Sequence, residues 1–122
     1  MSAAALDLAP LAGVWRKTNE APQWIDRLVV RIDGGRAIVR VFGSAPPSRD
    51  DWGESPAEAT YAGAADSSKA SAFLARYAFD DCDVDVEANV NLGLLVVATF
   101  VRWRDGLRSD AFTREFFYRG NV

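Results

Sequence analysis

The carboxylates, arginines, one thiol and aromatic rings are the residues of this chain to weigh for chemistry, since histidine is absent and Cys82 is the only cysteine. That removes histidine-based triads, the usual zinc sites and an internal disulfide. The densest titratable cluster is the acidic run Asp80, Asp81, Asp83, Asp85 and Glu87. Asp81-x-Asp83-x-Asp85 imitates the opening of an EF-hand loop, but Val86 stands where the turn needs glycine and Leu92 where it needs a bidentate glutamate. On a strand the same acids define a wet face, set against arginines on a neighbour, so no metal site is expected. Asp50-Asp51-Trp52-Gly53-Glu54 places three carboxylates beside an indole. One of them, buried and raised in pKa, would suit acid–base work. The weightier reading makes Trp52 a lid or plug at a barrel mouth, with the acids in solvent. Cys82 sits among acids and apolar neighbours, which raise a thiol's pKa and make it an inert residue.

The aromatic side chains are the best functional lead. Trp15, Trp24, Trp52, Tyr61, Phe73, Tyr77, Phe79, Phe100 and Tyr118 could line a cavity, with Arg102 or Arg114 receiving an anionic or polar group. The candidate ligand-binding set is Trp15, Trp24, Trp52, Tyr61, Tyr77, Phe100, Arg114 and Tyr118; no catalytic residue and no cofactor is assigned. The last strand sets the difficulty. Phe112, Arg114, Phe116 and Tyr118 share one face, and Thr113, Glu115, Phe117 and Arg119 the other. If Arg119 faces inward, an apolar face points out and calls for a homodimer through the outer wall. If Arg114 faces inward, it becomes the anchor of an interior ligand. The sequence leaves both open.

These side chains ride on strands. Apolar residues recur with period two, and turn signals interrupt them every 8–12 residues. The expected strands are 13–18, 25–32, 36–42, 57–62, 69–79, 82–88, 94–103 and 109–119. Asp33-Gly34-Gly35 is a tight hairpin signal, and Arg27, Arg31, Arg36 and Arg40 fall on the solvent face of that hairpin. Residues 69–79 also carry helical spacing behind a serine cap; strand is preferred because Asp80-Asp81 then turns into an obvious partner. Residues 43–56 form the one long loop. Eight successive antiparallel strands make either a sandwich or a closed up-and-down barrel, and the barrel removes the exposed edges.

With 122 residues the chain makes one domain, 1–122, with its core at about 11–119. Seventeen acids against fourteen bases leave a net charge of −3, so neither nucleic acid nor an anionic membrane is expected as a partner. No apolar run reaches the ~18 residues of a spanning helix, and the opening stretch lacks the basic start of a signal peptide. A lone cysteine fits a reducing, cytoplasmic compartment.

Two segments favour the barrel. Leu11-Ala12-Gly13-Val14-Trp15 resembles the Gly-x-Trp opening of the calycin barrels, which include lipocalins, fatty-acid-binding proteins and avidins. That resemblance implies a tryptophan closing the barrel floor and a basic residue of the last strand packed over it, here Arg119, with Arg114 as runner-up. Val41 to Gly53 resembles a loop of uncharacterised bacterial calycin-like proteins reading Trp-Gly-x-Cys-x-Pro-x-Asp-Cys-Asp-Trp-Gly. Phe100 to Arg119 resembles their ending, a Phe-x-Asp-Gly-x-x-Arg turn followed by an aromatic strand. Both loop cysteines are missing here, with Ser44 and Arg49 or Asp50 nearby. The resemblance implies an eight-stranded calycin-like (lipocalin- or avidin-like) barrel and transfers no activity.

The expected function is to bind a small, partly apolar or anionic ligand inside the barrel. One alternative is a barrel enzyme of isomerase or cyclase type using tyrosine, aspartate or glutamate for proton transfer. The other is a homo-oligomeric interaction protein whose barrel is filled by its own side chains.

Overall fold

Two-residue turns govern the topology. Gly34 and Gly35 (φ 57° and 80°) join one hairpin, and Leu92 and Gly93 (φ 52° and 81°) join another. Two consecutive residues in the left-handed region match the right-handed twist of paired strands. The computed structural model describes residues 5–21, 23–43 and 50–120. Ser44 to Arg49, the middle of the loop compared above, lie outside them. The strands are β1 (Gly13–Lys17), β2 (Ile25–Asp33), β3 (Arg36–Gly43), β4 (Asp51–Pro56), β5 (Ala59–Ala62), β6 (Ala70–Ala78), β7 (Cys82–Asn91), β8 (Leu94–Trp103) and β9 (Ala111–Gly120), behind a short 3-10 turn, Ala9–Leu11.

All nine form one antiparallel sheet in the order β4-β3-β2-β1-β9-β8-β7-β6-β5. Only the β1–β9 junction joins strands distant in sequence; every other pair is an up-and-down neighbour. The all-β expectation holds, and 69–79 is strand. The count of eight becomes nine, because Asp51–Pro56, expected in a loop, pairs with β3. Its alternation is poor in apolar residues: only Trp52 is buried in this strand, so period two gave no signal there.

The two edge strands are consecutive in the chain. β4 pairs with β3, and β5 pairs with β6. At the junction the Ala57 N–H donates to the Ala37 carbonyl at 2.8 Å, and the Glu58 N–H donates to the Leu74 carbonyl at 2.8 Å. Successive residues thus bond to opposite edges of the curled sheet. Ser55 Oγ donates to the Arg76 carbonyl at 3.0 Å.

Alternation sorts the side chains. Leu28, Val30, Val39, Val41, Ala75, Val84, Val86, Leu95, Val97, Val101 and Phe117 point inward and are buried in a single cluster with Leu11, Trp15 and Phe73. Gly43 is needed where it stands, because a Cβ there would lie 2.1 Å from the Trp24 carbonyl oxygen. That close approach brings the Trp24 backbone down onto β3 beside the β2–β3 bulge.

Candidate functional site

The inward face is packed. Trp15 is buried, donates from Nε1 to the Leu11 carbonyl at 2.9 Å, and lies under the Arg119 guanidinium, 4.7 Å from its ring centre. Arg119 also donates to the Pro10 carbonyl. The last strand therefore sets Arg119 over Trp15 at the exposed end of the core-facing side, and Arg114 on the opposite face. At the other end Trp52 folds in and meets Tyr77 and Phe79 edge-on, with ring centres 5.7 and 6.0 Å apart. The Tyr77 hydroxyl faces the carbonyls of Val39 (3.1 Å) and Gly53 (3.0 Å), and its one hydrogen is shared between them. Trp24 is half-buried against the same core.

The Asp51 and Glu54 carboxylates are tuned away from acid–base work. Asp51 pairs with Arg40, and that pairing, helped by the Gly53 N–H, holds its carboxyl down at about 2. Glu54 pairs with Arg31 at 2.7 Å and is lowered by it. The β7 acids behave as a wet face: Asp83 meets Arg104, and Asp85 meets Arg102 (3.1 Å) and Arg76 (3.5 Å). Among the described residues no cluster of acids or cysteine is arranged to hold a metal. Burial and Asp81 push the Cys82 thiol up to about 11.

Two polar side chains on the inward face of the curled sheet each carry an unpartnered oxygen. Glu115 is 4% exposed and Thr99 is fully buried, and Glu115 Oε1 and Thr99 Oγ1 have no hydrogen-bond partner among the described residues. Burial raises the Glu115 carboxyl, while the backbone N–H groups of Ile25 and Trp24 pull it back. Glu115 was legible once Arg119 was placed inside, since the two are four residues apart on one strand.

The open chemistry is on the outside. Phe112, Phe116 and Tyr118 on β9 are 52%, 43% and 46% exposed, and Phe100 beside them on β8 is 37% exposed. Phe100 and Phe112 rings lie 5.0 Å apart. Next to this stripe a groove of about 560 Å³ crosses β5 to β9. Register explains its form. One row runs Tyr61, Ala72, Asn89, Val96, Phe116, and the next Leu74, Glu87, Ala98, Arg114. Alanines and a valine in the middle leave a shallow floor between aromatic and charged walls. Arg114 and Glu87 face each other across Ala98, two strands or about 10 Å apart. Neither has an ion-pair partner among the described residues, while most arginines nearby do. The structure thus divides the sequence-derived ligand set. Trp15, Trp52 and Tyr77 are core and Trp24 lies against it, whereas Tyr61, Phe100, Arg114 and Tyr118 face outward, with Tyr61 and Arg114 lining the groove. Glu87 and the small floor residues carried no signal of their own, because their meaning depends on which strands are neighbours.

A smaller cavity of about 240 Å³ lies at the floor against Trp15 and Arg119. An open trough of about 570 Å³ lies between Arg16, Arg27, Phe42 and Tyr118. No helix among the described residues is long and apolar enough to cross a membrane. No family model, curated protein or solved structure matches the chain.

Proposed function

We propose that this chain is a non-catalytic binding module built on a calycin-like β-barrel, and that its recognition surface is the outer wall of β5 to β9. The opposite hydrogen bonds of Ala57 and Glu58 support a sheet closed through the 51–62 segment. Arg119 over Trp15 supports the calycin likeness. A single buried thiol without a disulfide suits a reducing, cytoplasmic setting.

One observation carries the reading: the interior positions are filled by the core, whereas aromatic and charged side chains stand open around the groove on the wall. A ligand held between Trp15, Trp24, Trp52 and Tyr77 would have to displace that core. Proton-transfer chemistry would need a carboxyl with a raised pKa at a cavity, and Glu115 lines none of the three described. A groove with an apolar floor, aromatic flanks and one charge of each sign suits a partly apolar partner with a polar head.

The test is fluorescence titration with 8-anilinonaphthalene-1-sulfonate in dilute solution, its rings matching Phe116 and Tyr61 and its sulfonate matching Arg114. Saturable binding is expected, weakened in Phe116→Ser and Arg114→Ala and unchanged in the core variant Val86→Ala. Binding that ignores Phe116 and Arg114 overturns the reading.

A further inference from the structure

We infer that the occupant of the groove is a second copy of this chain, docked about a two-fold axis that runs along β8. The inference rests on the outer wall being the recognition surface, and names what covers it. The wall is self-complementary in charge. Arg114 on β9 and Glu87 on β7 lie at equal distances on either side of Ala98 on β8, in one register row. In a two-fold interface, residue i meets j while j meets i. An axis along β8 exchanges the two sides, so each Arg114 lands on the other copy's Glu87, and two reciprocal ion pairs form. An axis across the strands would instead stack Arg114 on Arg114 and Glu87 on Glu87. Charge therefore selects one orientation.

Shape agrees with charge. The β9 side of the wall is a ridge of large rings, Phe112, Phe116 and Tyr118. The β7 side carries Asn89 and Asn91, and beyond it the alanine floor at Ala72. Rotation about β8 sets Phe116 and Tyr118 of one copy over Asn89 and Asn91 of the other, and Phe112 over Asp85. Extent agrees as well. Four strands of nine or ten residues present roughly 650 Å² at about 4.8 Å per strand and 3.4 Å per residue. That approaches the ~800 Å² per partner of a standard interface.

Sedimentation velocity of the intact chain across the micromolar range tests this, with Glu87→Arg, Arg114→Glu and the double exchange. The wild type is expected to be a dimer. Each single reversal places like charges opposite one another and is expected to weaken dimerisation on the order of tenfold or more, and the double exchange to restore it. Circular dichroism unchanged from wild type shows that the variants are folded. A monomer at all concentrations, or a dimer indifferent to the single reversals, or a double exchange that stays weak overturns the inference. If the chain is monomeric while the sulfonate probe still requires Phe116 and Arg114, the second-copy occupant fails and the outer-wall reading stands.

Discussion

Glu115 shows how a single residue's chemistry is set by facing. On paper it is one of seventeen acids; in the fold it is a carboxyl inside a core, with one oxygen facing the Ile25 and Trp24 N–H groups and the other unpartnered. Burial lifts its pKa above the ordinary 4.5, so the folded state holds the proton more tightly than the unfolded chain. Its stabilising contribution is complete below about pH 4.5 and is lost as pH rises through the raised folded value. Glu115→Gln keeps an acceptor for the two N–H groups and removes the charge. Urea titrations are expected to find the variant more stable at pH 7 by about 1 kcal/mol, with the difference vanishing toward pH 4. Asp51 behaves in the opposite sense: its pairing with Arg40 contributes above the ordinary aspartate range and is lost as pH falls through about 2. The thiol and the paired acids of β7 were readable from residue type and neighbours, whereas for Trp52 a lid and a plug were both open. Glu115 was not readable, because strand parity was undecided until Arg119 was seen over Trp15.

At the scale of elements, strands with one apolar face announced themselves and strands without one did not. β2, β3 and β7 alternate strongly, and their turns carry glycines or paired aspartates. β4 has one buried side chain and reads as loop, although it pairs with β3 along its length. What holds it is tertiary. Tyr77, on β6, reaches across to the Val39 and Gly53 carbonyls of β3 and β4, so one hydroxyl ties β6 to two strands that are not its ladder partners. Tyr77→Phe removes the donor shared by the buried Val39 carbonyl and the half-buried Gly53 carbonyl and is expected to cost about 1–3 kcal/mol. Hydrogen exchange should accelerate first at Asp51–Pro56 and leave β7 and β8 protected. Uniform acceleration across the sheet would mean that the hydroxyl does not act at this seam.

For the whole molecule, the question is which of two faces recognises a partner. Length argued one domain and period two an all-β fold, with the resemblance favouring a barrel over a sandwich, but period two is symmetric between inside and outside when a strand is apolar on both faces. β8 and β9 are such strands, and the proposed function turns on them. Phe117, Val97 and Leu95 went to the core, and Phe100, Phe112, Phe116 and Tyr118 were left on the wall. The groove residues Tyr61, Glu87 and Arg114 come from three strands, and only the sheet order makes them neighbours. The central claim is that recognition happens on the wall, and β8 carries a reporter for each face: Val96 and Ala98 line the groove, while Val97 between them is buried. Methyl chemical shifts of labelled protein, followed during addition of 8-anilinonaphthalene-1-sulfonate, read both faces in one experiment. The account predicts displacement of the Ala72, Val96 and Ala98 methyls with Val97, Val86 and Ala75 unmoved; displacement centred on the Val97, Val86 and Ala75 methyls would contradict it.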